Sequence, residues 1–267
     1  MLNRNSIVEC RMRNAEYEKW KFMPLISFFY SEIRNPKSEF EMSQIIACST
    51  REGIVLATDS RATWFDDTGE KRHFSLKKLL RLTSHSALLS AGAGMGVEMS
   101  LAFQNFLQRR GTVAIEDVAN MAVYFLADQY QKWLERREMP PSFSPQTPGE
   151  TSEEAFPLNE VYLILAGYSF RDRARPYHLH LFSSEGEGTS LRALPTSHIM
   201  VVPRSLSMER RLEAQRETGS PLDPLLTLCK SFLKKRSGEG EEVGPPFHFA
   251  AITPSGYKEI AEEEVKG

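Results

Sequence analysis

Ser43-Gln44-Ile45-Ile46-Ala47-Cys48-Ser49-Thr50-Arg51-Glu52-Gly53-Ile54-Val55-Leu56-Ala57-Thr58-Asp59-Ser60-Arg61-Ala62-Thr63 decides the fold of this chain. Two short runs rich in β-branched residues flank a turn at Glu52-Gly53, which reads as a hairpin. The second strand runs directly into Asp59-Ser60-Arg61-Ala62-Thr63, a polar end to an apolar strand. Outward from the hairpin, a polar connection covers Trp64 to His73. Lys77–Leu82 and Ala87–Gly92 then read as two further strands. Gly92-Ala93-Gly94 opens a helix whose apolar stripe (Val97, Leu101, Phe103, Leu107) stops near Gly111. A second helix fits Ile115 to Arg137.

Met139 to Pro157 is rich in Pro, Ser, Thr and Glu, and is expected to be a loop insertion. After it, Val161–Tyr168 is an apolar strand with Tyr177–Phe182 as its hairpin partner. Helices fit Ser207–Glu217 and Pro221–Lys235, and strands Phe247–Ile252 and Tyr257–Ile260 close the chain. Strands, two helices, strands, two helices, strands is an α+β order.

The 267 residues are 41% hydrophobic and 25% charged with a net charge of −2, which suits one ordinary domain with appendages. No basic excess points to nucleic acid. Cys10, Cys48 and Cys229 share no metal-type spacing and are odd in number, so no disulfide framework and a reducing, cytoplasmic setting are expected. The apolar run Pro24–Tyr30 is too short to span a membrane and has no secretory layout. Residues 1–42 lack a convincing period. They read as an N-terminal extension, a propeptide or upstream codons ahead of a start at Met42, with the domain proper at 43–267.

The hairpin and its polar end resemble those of a proteasome β-type subunit and its bacterial relatives, the N-terminal-nucleophile (Ntn) hydrolases. The resemblance implies a four-layer αββα sandwich, two antiparallel sheets between helix layers. It also implies a nucleophile at the first residue of the mature chain, and Ser43, sixteen residues before Asp59, stands at that position. The tyrosine- and Pro-Glu-Gly-containing signature of α-type subunits is absent from residues 1–42. An N-terminal Ser or Thr carries its own base, because its α-amine has an ordinary pKa of roughly 7.7–8.0. A nearby ammonium lowers that value further.

Carried over residue by residue, the likeness makes Ser43, Asp59, Arg61, Lys78 and Gly92 the catalytic set. Lys78 supplies the ammonium, oriented by Asp59, and the Gly92 N–H binds the oxyanion. Lys77 replaces Lys78 if the register slips by one, but the fourteen residues from Lys78 to Gly92 match the family interval. Read singly, each residue also has an ordinary structural role. Asp59 and Arg61 could form an ion pair, Lys78 could be a solvated strand-end lysine, and the glycines a tight turn.

The substrate pocket implied by the family comprises Ala62, Leu80, Ser90, Gly94 and Glu98. A carboxylate from Glu98 near its floor would favour cleavage after basic residues; the alternative places Glu98 in solvent on the first helical turn. The second half departs from the family pattern. Met200-Val201-Val202-Pro203-Arg204-Ser205 stands where a glycine-serine-glycine turn is usual, and Glu239–Pro246 lacks the aspartate, serine and two glycines expected there. Ser205 or Ser207 is a candidate replacement hydroxyl and Glu242 a candidate replacement carboxylate. His178 and His180 alternate along one strand face, more in keeping with a half-exposed strand than with a metal site.

The family likeness implies peptide substrates, self-association into a ring or another symmetric oligomer, an ATPase unfoldase as a candidate partner, and no metal or organic cofactor. Aromatic residues of the first helix pair, Tyr124, Phe125, Tyr130 and Trp133, are expected to supply the oligomer surface. Neither nucleic acid nor membrane is expected as a partner. Two rivals remain: a catalytically silent ring or scaffold subunit, and an Ntn amidase acting on a small non-peptide amide.

Overall fold

Strand β1 (Ile45–Ser49) and strand β2 (Ile54–Thr58) are buried at every position, which explains their unbroken apolar character. A strand with one wet face would alternate; these two have protein on both faces. Thr50 makes their turn, its hydroxyl accepting from the amides of Glu52 (3.0 Å) and Gly53 (3.2 Å). The computed structural model describes residues 43–65, 71–138, 160–184, 190–219 and 221–265. All belong to one compact unit, Ser38–Gly267. The expectations for residues 1–42 and for the insertion at 139–157 lie outside the described residues.

The remaining elements follow in order. β3 (Arg61–Phe65) and β4 (Lys71–Ser75) form a two-stranded sheet, and β5 (Leu79–Thr83) and β6 (Ser86–Gly92) lead into helices α1 (Met95–Arg110) and α2 (Ile115–Glu138). Strands β7 (Val161–Tyr168), β8 (Tyr177–Ser183), β9 (Arg192–Leu194) and β10 (Ile199–Val202) come next. Helices α3 (Leu206–Glu217) and α4 (Leu222–Glu239) precede the last hairpin, β11 (His248–Thr253) and β12 (Gly256–Ile260). The described residues are thus mixed α+β, with four helices and three antiparallel sheets. The two five-stranded sheets run β10-β1-β2-β11-β12 and β5-β6-β7-β8-β9.

Three apolar clusters hold these elements together. Alternate residues of β1 and β2 (Ile45, Ala47, Ile54, Leu56) join Leu79, Ala87, Leu89 and Ile164 of the other large sheet in one cluster. Their neighbours Ile46, Cys48, Val55 and Ala57 pack with Met208, Leu212, Leu226 and Leu233 of α3 and α4. The opposite face of β5–β8 packs with Phe103, Leu107, Val118, Leu126 and Tyr130 of α1 and α2. Helix α1 stops where its stripe stops: Gly111 adopts φ +63° and its N–H returns to the Gln108 carbonyl.

Two expectations change. The described ends of the segment from Trp64 to His73, Trp64–Phe65 and Lys71–His73, belong to the paired strands β3 and β4 rather than to a plain connection, and this pair lies outside the two large sheets. The aromatic surface of α2 is also smaller than expected. Tyr130 is fully buried and Phe125 and Trp133 pack against the core, leaving Tyr124, at 79% exposure, as the outward-facing ring of the four. Helical spacing alone does not say which side of a wide stripe meets the sheet.

Candidate functional site

Asp59 follows the last residue of β2, and the strand carries its side chain into the protein interior, where it is 0% exposed. A carboxylate there requires donors on every side. Oδ1 accepts from the Gln44 amide and from Lys78 Nζ, both at 3.0 Å. Oδ2 accepts from the Arg61 amide at 3.0 Å, from Lys78 Nζ at 3.1 Å and, more weakly, from the Gly244 amide at 3.5 Å. Lys78, 3% exposed, also donates to the Arg61 carbonyl. Burial pushes the Asp59 carboxyl up and the Lys78 ammonium down, and each partner's charge opposes the shift of the other.

The two lysines differ in position. Lys77 points outward and pairs with Glu259 at 2.6 Å on the surface, while Lys78 enters the interior. Arg61 does not pair with Asp59 through its guanidinium. That group donates to the Glu241 carbonyl at 2.9 Å and lies so close to Gly244 that a Cβ there would stand 2.2 Å from Arg61 Nε. Arg61 therefore reaches Asp59 by its main chain and holds the 241–244 loop with its side chain.

A small cavity of about 10 Å³ opens beside the pair, lined by Ser43, Ala62, Leu76, Lys78, Ser90, Ala91, Gly92, Ala93, Gly94 and Val97. Eight of the ten residues expected at the site meet here: six line the cavity, and Asp59 and Arg61 stand directly behind Lys78, with Leu80 and Glu98 the exceptions in the expected set. Leu80 is paired with Leu88 along the β5–β6 ladder, two residues beyond Lys78, and is not among the lining residues. Glu98 is exposed on the first turn of α1 and is likewise absent from the lining. Its carboxyl is raised above the ordinary range by the protein around it, with Arg136 pulling the other way.

Gly92 ends β6 with φ +83°, and a Cβ on it would stand 2.1 Å from the Glu160 carbonyl oxygen. That same oxygen accepts the Ala93 amide at 2.8 Å. Only glycine permits this approach of two backbones at the mouth of a helix. Ser90, two residues earlier, is 2% exposed, and its hydroxyl has no hydrogen-bond partner among the described residues. The buried Ser60 hydroxyl is in the same condition but does not line the cavity.

Sequence reasoning missed two anchoring residues. Gln44 is clamped through its main chain to Asp59 and through its side-chain amide to the Val202 (3.0 Å) and Pro203 (3.3 Å) carbonyls, fixing the residue next to Ser43. Gly244 gives its amide to Asp59 and its carbonyl to the Ser60 amide at 3.2 Å. A polar residue opening an apolar strand was the available signal for Gln44; nothing local marked Gly244. The suggested replacements in the second half lie elsewhere: Ser205 caps α3 by accepting from the Met208 amide and meets the Ser207 hydroxyl at 3.2 Å, and Glu242 is exposed. None of the three lines the cavity.

His178 and His180 stack on β8 with ring centroids 6.1 Å apart. Among the described residues, no group of three His, Cys, Asp or Glu side chains is arranged to hold a metal ion, and no helix is long and apolar enough to cross a membrane. Comparison of the chain with protein-family models finds no match, and comparison with curated proteins finds none either.

Proposed function

We propose that the chain is a proteasome-like N-terminal-nucleophile hydrolase that cleaves peptide bonds with Ser43. The observation that carries this reading is the buried Lys78–Asp59 pair at the wall of a cavity that Ser43 and Gly92 also line. Such a buried pair contributes little net stability compared with an apolar substitute, so its presence beside a cavity favours a chemical role. The packing of both large sheets on one another and of a helix pair on each outer face supports the four-layer αββα arrangement.

In this reading the Ser43 α-amine, once freed from residue 42, takes the hydroxyl proton as Oγ attacks the substrate carbonyl. The Lys78 charge keeps the amine neutral and favours negative charge on the attacking oxygen. Negative charge on the former carbonyl oxygen is stabilised by the Gly92 N–H. The protonated amine then passes its proton to the leaving nitrogen, and water releases the acyl group by the reverse sequence. Asp59 positions Lys78, and Arg61 supplies a carbonyl to Lys78 and an amide to Asp59. The chemistry needs neither metal nor organic cofactor. Self-association into a ring or another symmetric oligomer, an ATPase unfoldase partner and a cytoplasmic location belong to the same proposal.

A silent ring or scaffold subunit is the second reading. It is favoured by the engagement of the Ser205 hydroxyl in a helix cap, which leaves it away from the cavity. An amidase acting on a small non-peptide amide differs from the first reading in substrate alone. The deciding experiment is the intact mass of the protein from its host together with turnover of a fluorogenic peptide panel. A chain beginning at Ser43, with activity lost in Ser43→Ala, supports the peptidase. A chain that retains residue 42 in active material refutes it.

A further inference from the structure

His248 opens β11, and the ladder pairs it with Thr58, the residue before Asp59. Further along β11, Ala250 and Ile252 belong to the cluster between the two large sheets, as do Ile54 and Leu56 of β2. Side chains two apart on a strand share a face, so His248 and Thr58 both point between the sheets, at the end where the site lies. Directly paired residues bring their Cβ atoms within about 4.5–5.5 Å of each other. The imidazole is half-buried there. The same stretch of chain also reaches Asp59 through the Gly244 amide.

Charged groups face the ring from the strands around it. Lys77 and Lys78 lead into β5, Glu259 lies on β12, and Asp59 follows β2. Lys77 donates to Glu259 at 2.6 Å, and the Tyr257 hydroxyl donates to the same carboxylate at 3.2 Å. Lys78 donates to both oxygens of Asp59. Each carboxylate of this cluster is thus already matched with a lysine, and a proton on His248 adds a cation that has no counter-charge of its own. Burial holds the imidazole below its ordinary pKa; Lys77 and Lys78 push the same way, while Glu259 and Asp59 oppose them. The neutral ring is therefore the resting form at pH 7.

We propose that His248 is a positioning residue for the Asp59–Lys78 pair, and that its uptake of a proton turns the site down in acid. The inference rests on the hydrolase reading for its effect on turnover, whereas the coupling of His248 to Asp59 is a property of the fold alone. Burial works against the Lys78 charge, and Asp59 is what opposes that loss. A cation on His248 offsets the carboxylate and repels the ammonium, so Lys78 is held less firmly and its charge is disfavoured. Coupling between the ring and the pair is reciprocal, so each reports the charge of the other.

The test is the pH profile of kcat/KM for a fluorogenic peptide, measured on protein purified from its host, parent against His248→Gln. Protonation of the Ser43 amine alone gives an acid limb with a slope of one. The parent should steepen beyond that below about pH 6.5. Between pH 7.5 and 5 it should lose at least about threefold more kcat/KM than His248→Gln does. A slope of one in both proteins, or equal steepening in both, overturns the inference while the hydrolase reading stands. If no peptide is cleaved, that reading fails by itself, and the carboxyl-carbon NMR resonance of Asp59 decides. Its shift between pH 8 and 5 should carry an inflection at the midpoint of the His248 ring titration that disappears in His248→Gln. Such an inflection upholds the inference; a flat response, or one that His248→Gln leaves unchanged, overturns it.

Discussion

Replacing Lys78 by Met removes the ammonium from a buried pair while keeping a side chain of similar length. Asp59, 0% exposed, is then left with main-chain donors alone, from Gln44 and Arg61 at 3.0 Å and Gly244 at 3.5 Å. Breaking a buried pair by deleting one partner costs about 3–5 kcal/mol, because a charge remains without its counter-charge. Since the amides stay in place, the loss should fall near the lower end, about 3 kcal/mol. With a urea dependence of up to about 3 kcal/mol per molar, the unfolding midpoint drops by about 1 M. Lys77→Met, which breaks the surface pair with Glu259, should cost no more than about 1 kcal/mol. Adding Asp59→Asn to Lys78→Met should cost less than the two single changes summed, with a coupling of at least about 1 kcal/mol. The assay is equilibrium urea denaturation of all four variants followed by intrinsic fluorescence. A loss under about 1 kcal/mol in Lys78→Met, with strict additivity in the double variant, would refute the buried pair and with it the electrostatics of the site.

Further outcomes follow from the same geometry. Turnover, if the hydrolase reading holds, is abolished in Lys78→Met and Asp59→Asn and only mildly reduced in Lys77→Met, as peptide assays will show. Gly92→Ala places a methyl 2.1 Å from the Glu160 oxygen at φ +83°, so thermal unfolding should show a loss of at least about 1–3 kcal/mol together with lost activity; an unaffected variant would mean that β6 and β7 approach less closely. His180 is pushed below its ordinary pKa by burial first and by His178 second. Below about pH 6.5 the unfolded chain therefore takes up a proton that the folded chain resists, and stability falls with falling pH through that window. His180→Gln should flatten the slope between pH 7 and 5 relative to the parent, and an unchanged slope would show that the ring titrates normally. Glu98→Gln should leave peptide preference unaltered, since Glu98 does not line the cavity.

Much of the architecture was legible because the informative signals were local. The hairpin turn at Glu52-Gly53, the end of α1 at Gly111 and the span Val161–Tyr168 each rest on a residue or pattern that acts within a few positions. The structure brings Lys78 rather than Lys77 to Asp59 and sets Lys78 and Gly92 on one cavity, a grouping that the spacing of these residues implied through the family likeness. What escaped notice depends on partners distant in sequence. Gln44 is anchored by carbonyls 158 and 159 residues away, and Gly244 is constrained by an arginine whose side chain turns to the 241–244 loop. Glu98 and Leu80 were misplaced for a different reason. Leu80 shares a strand face with Lys78 but lies two residues further along it, past the cavity, whereas Glu98 directly follows the lining residue Val97 and helix phase turns it to the surface.

The first hairpin of the domain to be synthesised is completed late. Strands β1 and β2 lie in the middle of their sheet, between β10 and β11, so neither outer neighbour exists when the hairpin leaves the ribosome. The Asp59 carboxylate receives its Gly244 donor from 185 residues further along. At roughly 5–20 residues per second, that stretch takes on the order of 10–40 s to make. The Gly244 contact to Asp59 therefore forms only on a nearly finished chain, and a product truncated before Gly244 would carry the Asp59–Lys78 pair without that donor.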